Sequence, residues 1–367
     1  MKIVHIITRF NVGGTATWLN NLSNSLIDSG HESFLLAGKV PPGEIEDSNL
    51  LEINGIRIRK LEQSISPITA LLAFLQIRRC IKKLQPDIVN THTSVAGLIG
   101  RIAAYSLFRK RPTIVHTVHG HVLTGYFSNY QKILIVAAEK MLARISDMLL
   151  FSGERVREEF LSAINISISR TALVSPGVEL PTKFSKQSER NEDFVVGWLG
   201  RFAPIKNPML AIEVARTLPS VKFIFGGDGP LLDECRKLAP SNCKFMGWTR
   251  PEEFWQKCNL AFLTSKNEAQ PISIIEAGIL GIPAVTTPAG SAIEVVENRI
   301  TGLVALPEVD QLSIAIEELV RDSSLRKSLG RNAQKAYLKA YSLEKQLHDH
   351  LEAYRSVIEL RFRERNR

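Results

Sequence analysis

Residues 265–277 read Ser265-Lys266-Asn267-Glu268-Ala269-Gln270-Pro271-Ile272-Ser273-Ile274-Ile275-Glu276-Ala277, between the apolar runs Leu260–Thr264 and Ala284–Thr287. Short apolar runs bounded by turn residues predict buried strands. Pro271 suits the first turn of a helix, where its missing N–H is not needed. Strand, loop, helix and strand in succession predict a parallel sheet with helices on its faces. Glu268 then lies in the loop. Glu276, seven intervening residues later, falls inside the helix between Ile275 and Ala277. A carboxylate among apolar residues is costly to bury unless something pairs with it. Both carboxylates are placed to face one ligand at the mouth of the sheet, and a sugar or a ribose offers hydroxyls for them to accept from. Taken alone, the spacing also fits a solvated loop Glu and a helix-surface Glu. The surrounding frame favours a site.

That frame continues into Gly278-Ile279-Leu280-Gly281-Ile282-Pro283-Ala284-Val285, then Glu294-Val295-Val296-Glu297 and Thr301-Gly302-Leu303-Val304. It resembles the E-x7-E signature of the family 4 glycosyltransferases, most clearly across residues 195–305 and more weakly in the first half. The resemblance implies an α/β chain of GT-B fold, with two doubly wound Rossmann-like domains facing a central cleft. It further implies a last helix that crosses back to the first domain. The activity implied is transfer of a hexose or N-acetylhexosamine from a nucleotide sugar, UDP being the commonest carrier, with retention of configuration. Bacterial relatives that build surface polysaccharides make a glycan or a lipid-diphosphate-linked sugar at the inner leaflet the acceptor class. One departure stands out. Ala269-Gln270-Pro271-Ile272 occupies a position where the family is usually Gly-rich, and Pro271 has no N–H to offer a phosphate. The two Glu positions are unaffected, and Ile272 is counted with them on the donor side.

The rest of the chain fits two such domains. With 367 residues it has the length of about two ordinary domains. Strands are predicted at Ile3–Thr8, Ser33–Ala37, Ile56–Arg59, Ile88–Thr91, Thr113–Thr117, Met148–Phe151 and Leu173–Val174, with helices at Thr15–Ser29 and Pro67–Leu84. A second set of strands follows at Phe194–Leu199, Lys222–Phe225, Lys244–Met246, Leu260–Thr264 and Ala284–Thr287. Residues 181–193 are polar and lack an apolar period, which predicts a linker between domains at 1–180 and 194–350. The helix at 351–367 is the one expected to return to the first domain.

Composition narrows the function classes. Apolar residues make up 44% and charged residues 23%, as in ordinary globular proteins. The start does not read as a signal peptide, because Arg9 interrupts the apolar run, and no apolar stretch reaches the length expected of a bilayer span. Cys80, Cys235, Cys243 and Cys258 form neither a CxxC nor a Cys/His cluster, so reduced thiols and a cytoplasmic location are expected. The net charge of +9 raises nucleic acid, membrane surfaces and anionic substrates. Aromatic residues do not interleave with the basic ones in a nucleic-acid motif, so nucleic acid is not an expected partner. Arg101, Arg109, Lys110 and Arg111, and again Arg361, Arg363, Arg365 and Arg367, form basic clusters that are either solvated faces or membrane contacts. Pro67–Leu84 is a basic amphipathic pattern, read as a core-facing helix with a solvated edge or as a helix that lies on a membrane.

A nucleotide sugar carries a diphosphate that gains negative charge as the glycosidic bond breaks, so cations or backbone N–H groups must meet it. Gly200-Arg201-Phe202-Ala203-Pro204-Ile205-Lys206-Asn207-Pro208 follows a strand. Asn207 is expected to cap the next helix and Pro208 to open it. Arg201 and Lys206 thus fall where open α/β sheets bind ligands. The segment resembles the family's G-R-x4-K-[GN] element, whose Arg and Lys hold the donor diphosphate. In Asn11-Val12-Gly13-Gly14-Thr15, the paired Gly13 and Gly14 let the backbone approach an anion at a helix start, or make a plain tight turn. The helix after them carries the stripe Trp18, Leu22, Leu26 and ends at Gly30. Phe225-Gly226-Gly227-Asp228-Gly229-Pro230-Leu231 resembles the family's G-x-G-P-L turn; Gly227 either lines the nucleotide site or serves the turn. Trp248 borders the base or packs on the core.

Thr117-Val118-His119-Gly120-His121 ends a first-domain strand. The resemblance matches His119 to a His that contacts the donor sugar. His121 and Tyr126 are assigned to the acceptor side, and His92, at another strand end, is a weaker candidate. The family's retaining chemistry generally needs no metal, and no Asp-x-Asp follows a strand here, so no cofactor is expected. Arg201, Lys206, Glu268 and His119 form the catalytic set. The competing readings are a non-catalytic nucleotide-sugar or polysaccharide-binding protein and a sugar-nucleotide epimerase, whose usual carboxylates do not appear at recognisable positions. A glycogen-type phosphorylase would need a Lys-bound pyridoxal phosphate and a much longer chain.

Overall fold

A computed structural model describes residues 1–41, 44–47, 53–64, 66–120, 129–180 and 194–365. The predicted linker at 181–193, and His121 and Tyr126, lie outside the described residues. The chain divides into two compact units, Met1–Gly177 with Leu343–Arg367, and Val178–Ser342.

The first unit holds seven parallel strands: β1 (Lys2–Ile7), β2 (Glu32–Ala37), β3 (Gly55–Arg57), β4 (Ile88–His92), β5 (Thr113–Val118), β6 (Met148–Phe151) and β7 (Thr171–Leu173). Their order across the sheet is β3-β2-β1-β4-β5-β6-β7. Helices α1 (Gly14–Asp28), α2 (Pro67–Leu84), α3 (Ser94–Tyr105), α4 (Asn129–Ile145) and α5 (Glu154–Ile164) connect them. The second unit holds β8 (Val195–Leu199), β9 (Lys222–Gly226), β10 (Cys243–Gly247), β11 (Leu260–Leu263), β12 (Ala284–Thr286) and β13 (Gly302–Val304), in the order β10-β9-β8-β11-β12-β13. These too are all parallel. Its helices are α6 (Pro208–Thr217), α7 (Leu232–Leu238), α8 (Pro251–Trp255), α9 (Ile272–Ile279), α10 (Ala292–Val295), α11 (Val309–Arg321) and α12 (Ser323–Ala340). A final helix, α13 (Leu343–Arg365), counts with the first unit and begins at Leu343 rather than Leu351.

Both sheets are buried on both faces, which is why their strands read as apolar runs. In the first unit Val4, Ile6, Val89 and Ile114 pack under α2 and α3, while Ile3, Ile88 and Val115 pack with Trp18 of α1 and Tyr354 of α13. In the second, Val196, Phe223, Phe225 and Phe262 meet α6 and α11, and Ala261, Leu263 and Ala284 meet α9 and α12. Strand order reverses between β1 and β4 and between β8 and β11. The carboxyl ends of strands beside such a switch point are where open α/β sheets take ligands.

Three local expectations are corrected. Pro271 is the N-cap of α9, one residue before the first turn. Asn207 holds the N-cap of α6 with φ 49°, and its side chain makes no capping bond. The cluster Arg101–Arg111 is not one cationic face. Arg101 is fully buried and donates through one nitrogen to both oxygens of Glu139 at 2.8 Å, and Arg111 makes a bidentate pair with Asp147 at 2.6 and 2.8 Å. Removing one partner of a buried pair costs about 3–5 kcal/mol. These two arginines hold helices and strands together, and Arg109 and Lys110 alone remain exposed.

Helix α2 buries Ala73, Ile77 and Ile81. Its opposite side is also apolar: Ile68 is 73% exposed, and Leu71, Leu72 and Leu75 continue the stripe until Arg79, Lys82 and Lys83 take over. Tyr105, Phe108, Ile133, Leu134 and Met141 of the same unit are exposed as well.

Candidate functional site

In the second unit, the turn after β8 and the turn after β11 are tied together by backbone and side chain. Lys266 N donates to Ile205 O at 2.8 Å. Thr264 Oγ1 lies 3.1 and 2.9 Å from the carbonyls of Lys206 and Asn207, which share its one proton, and it accepts from Trp198 Nε1 at 3.0 Å. This frame carries Lys206 to Glu268. Lys206 Nζ sits 2.5 Å from Glu268 Oε1, and Ser265 Oγ donates to the same oxygen at 2.5 Å. Glu268 is 8% exposed and Lys206 more so, which makes this a cation at the rim holding a carboxylate in the wall. The Glu268 carbonyl also accepts from Ser291 N at 2.9 Å. Ser265 was missed by sequence reasoning, although its place three residues before Glu268 was a usable signal.

Glu276 lies in the middle of α9, partly exposed, between buried Ile275 and Ala277. Burial pushes its carboxyl up to about 8. The indole of Trp255 acts in the opposite sense; its buried N–H makes no hydrogen bond among the described residues. A carboxyl with that preference is poised for hydroxyl donors that would favour its ionised form. Ile272, at the start of α9, is half-buried.

Arg201 leaves the end of β8 and is exposed. Gly227 has φ 118°, and a Cβ there would stand 2.0 Å from the carbonyl oxygen of Gly200. The glycine is therefore required by the close passage of the turns after β8 and β9. Trp248, at the end of β10, is 58% exposed, so it does not pack on the core.

In the first unit, Gly13 is the N-cap of α1 with φ 152° and ψ 176°, and no described residue other than its chain neighbours lies within 4 Å of where its Cβ would be. Among the described residues no side chain caps this helix, and no acidic residue occupies its first turn. Gly13 and Gly14 are exposed, so the first N–H groups and the positive end of the helix dipole are accessible. His119 follows β5 and is partly exposed. Its Nε2 lies 2.7 Å from His92 Nδ1, and the edge of Trp18 meets its ring at 4.9 Å between centroids. Burial, with His350 adding repulsion, lowers its pKa to about 3, so the ring is neutral at neutral pH.

Two sequence models cover most of the chain and meet at residue 181: Glycosyltransferase Family 4 over residues 12–181, and Glycosyl transferases group 1 over residues 181–336. The chain is 24% identical over 310 residues to the UDP-Gal:alpha-D-GlcNAc-diphosphoundecaprenol alpha-1,3-galactosyltransferase of Escherichia coli, covering 78% of this chain and 79% of that protein. It is 27% identical over 301 residues to the capsular polysaccharide biosynthesis glycosyltransferase CapM of Staphylococcus aureus, covering 75% and 78%. Among solved structures, Anabaena HepE in complex with UDP and glucose superposes with a TM-score of 0.82 at 19% identity, over 97% of this chain and 100% of that one. Sucrose-phosphate synthase from Thermosynechococcus elongatus gives 0.82 at 18% identity, over 98% and 100%.

Proposed function

The chain belongs to the glycosyltransferases of family 4 and group 1, with the GT-B fold, and from that premise we propose a retaining hexosyltransferase. The donor is a UDP-sugar carrying a hexose or N-acetylhexosamine. The acceptor is a glycan or lipid-diphosphate-linked sugar of surface polysaccharide biosynthesis. The relatives named for galactosyl transfer to a diphosphoundecaprenol-linked sugar and for capsule synthesis support that substrate class. The observation that carries the reading is the Lys206–Glu268 contact of 2.5 Å beside exposed Arg201 at one sheet end.

Arg201 and Lys206 take the diphosphate, without a metal, and the open N-terminus of α1 at Gly13 and Gly14 adds N–H donors. Both bonds to the Glu268 carboxylate end on Oε1, which leaves Oε2 for the hydroxyls of the transferred sugar. Glu276 accepts from the ribose hydroxyls, while Gly227, Trp248 and Ile272 border the nucleotide. His119 contacts the transferred sugar, and His121 and Tyr126 serve the acceptor. The bond from the anomeric carbon to the diphosphate oxygen breaks with its electron pair going to the phosphate. That phosphate takes the proton of the acceptor hydroxyl, and the new C–O bond forms on the same face. Glu268 stabilises the cationic sugar between the two events.

The exposed stripe of α2 supports a place at the inner face of a membrane, apolar side chains inserted and Arg79, Lys82 and Lys83 toward anionic headgroups. No helix among the described residues is long and apolar enough to cross it.

Calorimetry against UDP-, GDP- and ADP-sugars with EDTA present, alone and with vesicles of an anionic phospholipid, tests the reading. Binding of one UDP-sugar, weakened at least tenfold in Arg201→Ala and in Glu276→Ala, is expected, together with retention of the protein on the vesicles. Binding unchanged in both variants, or absent without metal, overturns the proposed site.

A further inference from the structure

One face of the first sheet changes character along its strands. Toward the amino ends it is apolar, with Ile3, Ile88 and Val115 packed on α1 and α13. Two residues further along, the same face carries His5 on β1, Asn90 on β4 and Thr117 on β5, because side chains alternate with period two. Another two residues bring His92, then His119 beyond the end of β5. In register, His5 stands opposite Asn90 and His92 opposite Thr117, so each histidine is the diagonal neighbour of the next. Their rings close that diagonal: His5 Nδ1 is 3.1 Å from His92 Nε2, and His92 Nδ1 is 2.7 Å from His119 Nε2. His5 and His92 are fully buried. Tyr354 of α13 and Asn90 lie beside the chain, joined at 2.8 Å, with Thr117 donating to Asn90 at 3.0 Å.

All three rings are neutral at neutral pH, since burial above all, and then neighbouring rings, depress each of them. A neutral imidazole has one N–H and one acceptor nitrogen. His92 is bonded at both nitrogens, so it donates to one neighbour and accepts from the other. The chain of three therefore has two proton arrangements only. In one, every proton is on Nδ1: His5 donates to His92, His92 donates to His119, and His119 Nδ1 carries an N–H outward. In the other, every proton is on Nε2 and all donors point inward. His5 Nε2 has no partner among the described residues and is buried, and it distinguishes the two. The first arrangement leaves a buried lone pair there; the second leaves a buried N–H. Orphaned buried N–H groups are the rarer and costlier defect.

We propose that His5 and His92 are positioning residues that hold His119 with its proton on Nδ1, so that it presents a hydrogen-bond donor to an oxygen of the transferred sugar. The proposal rests on the assignment of His119 to that sugar. It explains why two histidines with no access to substrate stand in line behind the one that has it. An imidazole free in water is under no such constraint, and the relay removes the need to select a tautomer when substrate binds.

Long-range ring 15N–1H correlation on [15N]histidine-labelled protein reads the tautomers directly, with signals assigned through His119→Gln and His92→Gln. The expected result is a protonated Nδ1 and a bare Nε2 on His119. In His92→Phe the His119 signal should move toward a mixture, with kcat/KM lower by about two- to fivefold, in step with the fraction that keeps the Nδ1 proton. His92→Gln, whose amide keeps one donor and one acceptor, should restore part of both. A protonated Nε2 on His119 in the parent protein, or a tautomer unmoved by His92→Phe, overturns the relay. Full turnover by His119→Ala, alongside a protonated Nδ1 on His119 in the parent protein, overturns the assignment of His119 to the sugar and leaves the relay's control of the tautomer standing.

Discussion

The two sheets end in opposite chemistry. At the carboxyl end of the first, the groups assigned to the site are uncharged, namely the N–H groups of α1, three neutral imidazoles and the Asn90–Tyr354 pair, while the ion pairs Arg9–Glu44 and Arg57–Glu46 stand beyond β1 and at the end of β3. At that of the second it comes from ions and ionisable groups: Arg201, the Lys206–Glu268 pair and Glu276. A neutral network gives direction and shape with little dependence on salt. An ionic one meets a charge that grows during the reaction. The difference teaches that the two halves of a duplicated architecture divide orientation from charge compensation, and it assigns the larger energetic effect to the second unit.

The largest effect should come from Lys206→Ala. Loss of a group aimed at developing charge costs about 10²–10³ in kcat, whereas His119→Ala, which removes one hydrogen bond, should cost about tenfold. Steady-state kinetics of the two variants side by side would break the comparison if the order were reversed.

Acid should act on the two units with opposite sign. His5 and His119 have pKa values near 3 and His350 near 4 when folded, against 6.5 when unfolded. Between those values the unfolded chain binds the extra protons, so stability present above pH 6.5 is lost as pH falls. A fully buried ring forfeits at most about 2 kcal/mol between pH 6.5 and 5. Urea titrations at pH 7 and 5 should show the loss, and His5→Phe should reduce it. Glu276 works the other way. Folded it holds its proton to about 8, unfolded only to 4.5, so it destabilises increasingly as pH rises across that window. Glu276→Gln should therefore stabilise the protein more at pH 8 than at pH 5. Equal acid sensitivity of parent and His5→Phe would remove the first half of the contrast.

The pH dependence of donor binding sharpens the ionic half. If ribose hydroxyls bind the ionised Glu276, donor affinity should fall as pH drops below about 8, by up to about tenfold per pH unit. Calorimetry in two buffers of different ionisation enthalpy should detect the proton released on binding, and Glu276→Gln should flatten the profile. A flat profile in the parent would place the ribose elsewhere.

The parallel α/β architecture was legible because buried strands are apolar runs: Met148–Phe151 begins and ends where its run does. Gly302–Val304 was quoted for its resemblance and not recognised as a strand, since three residues carry no period. The edge strand read at Leu173–Val174 forms at Thr171–Leu173, where pairing on one side alone weakly specifies the ends. In the site, Glu268 and Lys206 announced themselves through local spacing. Pairings over long separations did not. Arg101 was read into a basic cluster with no sign of its partner Glu139, 38 residues on, and the three histidines lie 87 and 27 residues apart in sequence. A sequence shows such groups singly, and the sheet register brings them together.

Helix α13 has one more consequence. The polypeptide completes the whole of Val178–Ser342 before it makes the helix that supplies Tyr354 and His350 to the first unit. During synthesis the second unit can close its core while the first still lacks the cover over Ile3, Ile88 and Val115. The first sheet must then wait, with one apolar face partly bare, until α13 has been made. Translation order thus leaves apolar surface of the first unit bare for longer than that of the second, and exposed surface of this kind is what makes a folding intermediate prone to aggregate.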